Sequence, residues 1–171
     1  MSTVIWLKPD YGEYRSHRYF TGNHETLIWA AKSADSNYFF NHELMKNWRK
    51  NYRQPCTCAH CGKINEVELL HTPGQQLGSV WAIPKTPPWE KSFGAHPTQK
   101  PLDLLVRVIY ASTREGDLVL DPFCGTGTTG IAAHKCKRRF IGVDFTQSYL
   151  DIALRRFQHL AYTNSTSITT P

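Results

Sequence analysis

The chain has 171 residues, which suits one domain with enough length to bury a core. It carries 20 Lys and Arg against 14 Asp and Glu, a formal charge of +6 with a pI near 9.1, and this balance favours an anionic partner, above all nucleic acid. The chain has five cysteines, three of them clustered, which argues against a secreted disulfide framework. The sequence shows no basic leader at its start, and no stretch reaches the ~20 apolar residues of a membrane helix. We therefore expect a cytoplasmic protein with no membrane partner.

Regular structure is predicted near the start of the chain. Residues 2–8 and 26–32 are rich in branched and aromatic side chains and are typical of two neighbouring strands. A helix is expected near His42–Tyr52, and otherwise regularity fades between Ser33 and Phe93. An irregular stretch of this length is typical of a functional or partner-binding region.

The second half alternates helices and strands. We expect a helix with Thr98 as N-cap and Pro101 in its first turn, and an apolar face formed by Leu102, Leu104, Leu105, Val108 and Ile109. Strands are predicted at 117–120 and 139–143, separated by a helix that includes residues 130–133. An amphipathic helix follows at 147–160, and residues 163–171 are expected to form a disordered polar tail.

The most informative segment is Asp121-Pro-Phe-Cys-Gly-Thr-Gly-Thr-Thr129, which links a short apolar strand to a helix. Gly125 and Gly127 allow the backbone to approach a bound molecule closely, and the helix start offers N–H groups to negative charge. The next predicted strand ends at Asp144, and 144 − 125 = 19 lies close to the ~20-residue offset at which an acid binds a ribose hydroxyl. The pattern indicates a nucleotide-like ligand.

Several ligands and a purely structural turn compete for this loop. A phosphate-binding P-loop would end in Gly-Lys-Ser/Thr, which is missing. A nicotinamide enzyme would continue with a second half, but only 171 − 144 = 27 residues follow Asp144. The remaining strands must therefore come from upstream, which predicts a circularly rearranged Rossmann-like sheet; the bland alternative is that the glycines merely close a tight strand–helix turn.

Two motifs together resemble those of DNA amino-methyltransferases, in the subgroup whose S-adenosylmethionine motif follows the catalytic half. The glycine loop resembles the cofactor motif, and His96-Pro-Thr-Gln-Lys-Pro101 resembles the segment that folds over the same cofactor. The similarity runs from the Ile5–Pro9 strand through His24–Ala30 to about Phe157, and adenine-modifying members match best. The bland interpretation of the second motif is a well-capped helix entry.

The resemblance implies an α/β fold, the Rossmann-like methyltransferase fold, circularly rearranged and incomplete at its N-terminus. It implies strands of the catalytic half at 1–35, a loop-rich target-recognition region at 36–95 and the cofactor-binding half at 96–162. It also implies a cofactor site in which Phe123, Gly125 and Gly127 line the methionine side and Asp144 holds the ribose. The full set expected there is His96, Thr98, Gln99, Lys100, Asp121, Phe123, Gly125, Gly127, Thr128 and Asp144. An aromatic face and the nearby Asp121 suit a cationic sulfonium, and Lys100 suits a carboxylate.

The family's amine-holding motif, Asp/Asn/Ser-Pro-Pro-Tyr/Phe/Trp, is not found. In this subgroup it should precede the first strand, and no such sequence lies between Met1 and Lys8, so we expect a C-terminal part whose catalytic residues are unknown. Thr86-Pro-Pro-Trp89 is a partial match with a hydroxyl in place of the amide or carboxylate, and we interpret it as a connecting loop. Pro55-Cys56 resembles a cytosine-C5 nucleophile but lies in a cysteine cluster before the cofactor motif.

Cysteines and cations mark the recognition region. Cys56, Cys58 and Cys61, with His60 or His71, could hold zinc, but a second Cys-x-x-Cys pair is missing, so we predict no metal. Cations interleaved with aromatic residues near 46–53 suggest DNA contact, a solvated basic face being the alternative. The DNA-binding candidates are Arg15, Arg18, Lys46, Arg49, Lys50 and Arg53.

These observations favour a site-specific DNA methyltransferase that moves a methyl group from S-adenosylmethionine to adenine N6 in duplex DNA. Cytosine-N4 is the near alternative. A rival of another class is a non-catalytic remnant that binds DNA or a partner, or one subunit of a split enzyme completed by an upstream polypeptide.

Overall fold

A computed structural model describes the backbone of residues 1–9, 22–46, 48 and 78–166, and the side chains of these residues as far as 161. The chain divides into two compact units, Met1–Lys85 and Thr86–Pro171. The boundary between the two units falls after Lys85. The reason is local: the Thr86 hydroxyl donates to the Gln99 carbonyl, so residues 86–93 belong with the segment that follows them.

The first unit contains a three-stranded sheet in the order β2-β1-β3. Strand β1 is Ser2–Leu7, β2 is His24–Trp29 and β3 is Val80–Ala82, and a short helix α1 spans His42–Lys46. β1 pairs antiparallel with β2, from Ser2 opposite Trp29 to Leu7 opposite His24, and parallel with β3. The prediction that the first two strands are sheet neighbours is confirmed, whereas β3 was not anticipated because its three residues merge into a proline-rich run.

Indole rings fill the interior of this unit. Trp6 is buried and donates its indole N–H to the Ile83 carbonyl at 2.7 Å, which fastens β1 to the chain just beyond β3. Met45 of α1 and Trp81 of β3 are also buried. Apolar burial of this kind is the main stabilising term of a small sheet.

The second unit begins with a 3-10 helix, Pro88–Lys91. It continues with α2 (Leu102–Ser112), β4 (Leu118–Asp121), α3 (Thr128–Lys135), β5 (Arg139–Gly142) and α4 (Gln147–Thr166). β4 and β5 pair in parallel, from Leu118 opposite Arg139 to Asp121 opposite Gly142. This βαβ arrangement brings the carboxyl ends of both strands to one edge, where α/β folds bind their ligands.

The predicted helices and strands of this unit are confirmed, with shifts at their ends. Of the face predicted for α2, Leu104 and Ile109 are buried, as are Val106 and Ala111. Helix α4 continues to Thr166, so residues 163–166 are helical and not part of the predicted disordered tail. Residues 167–171 lie outside the described part.

The predicted N-cap of α2 is wrong. The helix begins at Leu102 with Pro101 as N-cap residue, while the Thr98 hydroxyl lies 3.2 Å from His96 Nδ1. The Leu102 N–H instead donates to the Glu90 carboxylate, 3.1 Å away at its nearer oxygen. The Glu90 carboxylate therefore caps the start of α2, where the Thr98 hydroxyl was expected to accept the hydrogen bond.

The described strands form two sheets, one in each unit, within an α/β chain. In the described residues no helix combines the length and apolar character needed to cross a membrane.

Candidate cofactor-binding site

The glycine loop begins after Asp121, the last residue of β4, whose side chain forms hydrogen bonds with the residues that follow it. Asp121 Oδ1 accepts the Phe123 N–H at 3.0 Å, and Oδ2 accepts the Thr129 hydroxyl at 2.6 Å. One carboxylate therefore ties the first residues of the loop to the first turn of α3. Such side-chain bonds to nearby backbone are how aspartate shapes a turn.

Asp144, at the end of the second parallel strand, closes the loop from the other side. Its Oδ2 accepts the Gly125 N–H at 2.8 Å and its Oδ1 accepts the Thr146 N–H at 2.9 Å. These backbone bonds, that from Thr146 first and that from Gly125 second, lower the pKa of the Asp144 carboxyl below its ordinary value. Each oxygen retains a further lone pair, so the carboxylate can still accept hydroxyl groups of a ligand.

The two loop glycines are needed for different reasons. Both have left-handed backbone, with φ of 50° at Gly125 and 75° at Gly127. A Cβ on Gly125 would meet only the His96 ring, at 3.7 Å, whereas one on Gly127 would lie 2.9 Å from the Ala153 Cβ of α4. The absent side chain of Gly127 therefore also makes room for α4, and the expectation that both glycines line a ligand stays a prediction.

The His96 ring lies beside the glycine loop. Its Nδ1 accepts the Thr98 N–H at 3.1 Å, which leaves the proton on Nε2 of the neutral ring. The ring packs edge-on against Tyr149 of α4, with ring centroids 4.3 Å apart. Nearby, Phe93 contacts His159 and Gly94 fits against Ile152, so residues 93–96 run along α4 toward the loop.

Gln99 is joined to the loop by its side chain. Its Oε1 accepts the Thr126 hydroxyl at 3.0 Å, and its Nε2 donates to the Glu90 carbonyl at 3.1 Å. Both ends of the amide therefore bind protein groups. The resemblance implied a direct contact between Gln99 and the cofactor, but the geometry gives its side chain a partner in the loop itself.

A buried cation holds the same loop from α4. Arg156 is 7% exposed, and its Nη1 lies 2.7 Å from the Thr126 carbonyl and 2.9 Å from the Thr128 hydroxyl. Burial is the main reason why the pKa of Arg156 lies below its ordinary value, and the charge of Glu90 opposes this shift. The Thr128 side chain faces α4, which leaves its backbone for a ligand.

The other predicted cofactor residues lie on or near the loop. Phe123 is 82% exposed, so its ring can cover a ligand at little structural cost. Lys100 is half-buried in the turn before α2. The structure thus brings Asp144 and His96 together at Gly125, ties Asp121 to Phe123 and Thr129, and joins Gln99 to Thr126.

Sequence reasoning missed Arg156, Thr126 and Glu90. Arg156 follows Ala153 by three residues and precedes Leu160 by four, so it lies on the predicted apolar stripe of α4. A cation on an apolar stripe was the available signal. Nothing comparable marked Glu90, whose role depends on a contact with Leu102 far along the chain.

The predicted DNA-binding residues can be placed only in part. Lys46 ends α1 and is half-buried, whereas Arg15, Arg18, Arg49, Lys50 and Arg53 lie outside the described residues. Trp48 was interpreted as one of the stacking aromatics of this region, but it is only 6% exposed and belongs to the core. The cysteines of the candidate zinc cluster also lie outside the described part, as do His60, His71 and Pro55.

The Thr86–Trp89 segment behaves as a connector. Thr86 donates its hydroxyl hydrogen to the Gln99 carbonyl at 2.5 Å, and Pro88 begins the 3-10 helix that carries Glu90. Trp89 is exposed. These contacts support the interpretation of the segment as a connecting loop.

A parallel strand pair with a glycine loop at its carboxyl edge, closed by an acid from the second strand, defines a nucleotide-type α/β site. The family model described as DNA methylase, of the N6/N4 class, matches residues 1–155, and the chain belongs to this family.

Individual relatives agree with this assignment. The chain is 39% identical over 165 residues to the type II methyltransferase M2.DpnII of Streptococcus pneumoniae, covering 96% of this chain and 53% of that protein. It is 37% identical over 160 residues to M2.MboI of Moraxella bovis, covering 94% and 50%. The crystal structure of an M1.HpyAVI–SAM complex is similar with a TM-score of 0.63 and 26% identity, covering 91% of this chain and 61% of the other. The chain spans about half the length of the curated relatives it matches.

Proposed function

We propose that this chain binds S-adenosylmethionine through the glycine loop and supplies the cofactor half of a DNA amino-methyltransferase. The observation that carries the proposal is the Asp144 carboxylate, which is bound to the Gly125 N–H at 2.8 Å at the carboxyl ends of two parallel strands. Membership of the DNA methylase family and the likeness to a structure named as a SAM complex support the same ligand.

The residues fit this cofactor. Asp144 would accept the ribose hydroxyls, and the exposed Phe123 ring would lie against the sulfonium, since aromatic faces attract cations. Asp121, already tied to the loop, would add negative charge near the sulfur, and Lys100 would pair with the carboxylate. The bound cofactor supplies an electrophilic methyl group.

The chemistry needs little from these residues beyond position. The methyl group passes from sulfur to an exocyclic amine nitrogen, and the amine loses one proton as the new C–N bond replaces the C–S bond. The amine must be aligned behind the methyl carbon, which is the task of the Asp/Asn/Ser-Pro-Pro-aromatic motif on a flipped base. Because this chain shows no such motif, we expect it to bind the cofactor but to methylate DNA poorly by itself.

Calorimetric titration tests the cofactor. S-adenosylmethionine should bind with one site per chain, and NAD, the ligand of the competing oxidoreductase interpretation, should show no heat at the same concentrations. Binding of NAD in place of S-adenosylmethionine would overturn the proposal. Phe123→Ala should weaken binding, and Tyr38→Ala, at another exposed aromatic ring outside the proposed contacts, is the control.

We infer duplex DNA as the substrate and adenine N6 as the methylated atom, with cytosine N4 as the alternative within the family. The formal charge of +6 and the family membership support a polyanionic substrate. DNA affinity should fall steeply with rising salt, because phosphate contacts release counterions. Digestion of methylated DNA to nucleosides would show N6-methyladenine; N4-methylcytosine would establish the alternative.

A completing polypeptide is the second part of the proposal. Leu118, Leu120 and Ile141 form an apolar patch on one face of the β4–β5 pair and are exposed, Leu120 to 63%, although strands of a parallel sheet are usually covered on both faces. We infer that this face packs against a polypeptide equivalent to the other half of the relatives, which would also bring the amine-holding motif.

Complementation tests the partner. A polypeptide carrying the first half of M2.DpnII, mixed with this chain, should restore methylation of DNA. Leu120→Asp should abolish the restored activity, and Leu154→Asp, at an exposed leucine of α4, should leave it intact. Full activity of this chain without the added half would refute the proposal.

A further inference from the structure

Arg156, a buried arginine of α4, forms hydrogen bonds with the residues on both sides of Gly127. Nη1 of Arg156 reaches the Thr126 carbonyl at 2.7 Å, the Thr126 hydroxyl at 3.2 Å and the Thr128 hydroxyl at 2.9 Å. Both threonines are buried. Because a buried charge is costly unless its hydrogens are used, these contacts hold the cation and the loop in one arrangement.

The same threonine connects the loop to the segment before α2. The Thr126 hydroxyl accepts from Arg156 and donates to Gln99 Oε1, and Gln99 Nε2 donates to the Glu90 carbonyl. The Glu90 carboxylate then accepts the first N–H of α2, from Leu102. A continuous set of hydrogen bonds therefore runs from α4 through the glycine loop to the start of α2.

We propose that Arg156 and Gln99 are positioning residues that act through Thr126 and hold the loop in its binding conformation before any ligand arrives. A loop with two left-handed glycines has many alternative conformations, and fixing one of them in advance lowers the entropic cost of binding. The inference deepens the proposed cofactor function and rests on it for the identity of the ligand. The order of the empty loop does not depend on that identity.

Hydrogen exchange of the ligand-free chain tests the order of the loop directly. In Arg156→Met the amide of Gly127, which donates to the Cys124 carbonyl at 2.8 Å, should exchange at least about tenfold faster than in the parent chain, since lost anchoring hydrogen bonds have that magnitude. Arg155→Met is the matched control, because the neighbouring Arg155 is exposed and its Nε contacts only the Asp151 carbonyl of its own helix. Equal exchange at Gly127 in the two variants would overturn the proposal.

Two further variants keep the test decisive if Arg156→Met does not fold. Thr128→Val removes one acceptor of Arg156 and keeps the shape of the side chain, and it should speed the same exchange to a smaller extent. Arg156→Lys keeps the charge but has a different donor geometry, and it should lie between Arg156→Met and the parent chain. If neither variant changes the exchange at Gly127, the proposal fails.

A double-mutant cycle separates positioning from direct contact. Gln99→Leu and Thr126→Val should each weaken S-adenosylmethionine binding by roughly tenfold, and the double variant by little more than either one, because they break the same connection. Losses that multiply to about a hundredfold would show that Gln99 contacts the cofactor itself and would overturn its indirect role. If the parent chain binds no S-adenosylmethionine, the proposed function fails, and the exchange experiment still decides whether Arg156 orders the loop.

Discussion

Gly127 has a left-handed backbone and also leaves no space for a side chain. Alanine at this position should therefore destabilise the second unit more than alanine at a glycine that has only one of these two features. The left-handed φ of 75° costs an L-residue about 1–2 kcal/mol. The new Cβ would also lie 2.9 Å from the Ala153 Cβ and 3.3 Å from the Phe157 ring, and such overpacking costs about 1–3 kcal/mol. Less the gain of ~0.5–1 kcal/mol from replacing glycine, the expected loss is roughly 1–4.5 kcal/mol.

Gly116 offers the matched control. Its φ is 85°, but a Cβ there would meet nothing within 4 Å, so Gly116→Ala should cost only about 1 kcal/mol. Unfolding of the second unit can be followed in urea by labelling the buried thiols of Cys124 and Cys136 and locating the label by peptide mass spectrometry, which separates them from the three cysteines of the first unit. If Gly127→Ala destabilises no more than Gly116→Ala, the packing of α4 against the loop is not as described.

Three more predictions follow from single side chains. Burial raises the pKa of the Glu90 carboxyl from 4.5 to about 7, so the stability that the protonated side chain contributes is complete below pH 4.5 and is lost as the pH rises to 7. At pH 8, Glu90→Gln should therefore increase the free energy of unfolding in urea by up to about 3 kcal/mol, and at pH 4 it should leave that free energy nearly unchanged. The pKa of the Asp144 carboxyl is lowered, so its effect on stability has the opposite dependence on pH: the contribution is present above pH 3.8 and is lost as the pH falls through the pKa of the folded state. An NMR titration of the Asp144 carboxyl with a midpoint at or above 3.8 would contradict the two backbone hydrogen bonds. Phe123→Ala should change stability by no more than about 0.5 kcal/mol, because the ring is exposed, but should weaken S-adenosylmethionine binding by roughly tenfold; equal affinity would remove the ring from the site.

Much of the fold could be predicted because its signals are local. The strands around the glycine loop, the helix after it and the acid at Asp144 each have a pattern within a few residues. The structure places Asp144 against the loop, where its carboxylate accepts the Gly125 N–H, while its contact with a ribose stays a prediction. That β1 and β2 are sheet neighbours was equally accessible from two similar apolar runs, whereas their antiparallel direction was not predicted.

The contacts that were missed depend on residues far apart in sequence. Thr98 has the residue type of an N-cap, but the Glu90 carboxylate takes the first N–H of α2. Gly127 resembles a ligand-binding glycine, but the demand on it comes from Ala153 of α4. Trp48 stands among cations like a stacking residue, yet it is buried. Local composition cannot reveal which distant side chain satisfies a group or fills a space.

The central claim is that the loop after β4 binds S-adenosylmethionine, and amide NMR of the isotope-labelled chain tests it most directly. Addition of S-adenosylmethionine should shift the N–H signals of Gly125, Thr126 and Gly127 and those beside Asp144, in a saturable manner. Saturable shifts confined to residues away from the loop, or no shifts at millimolar cofactor, would contradict the account.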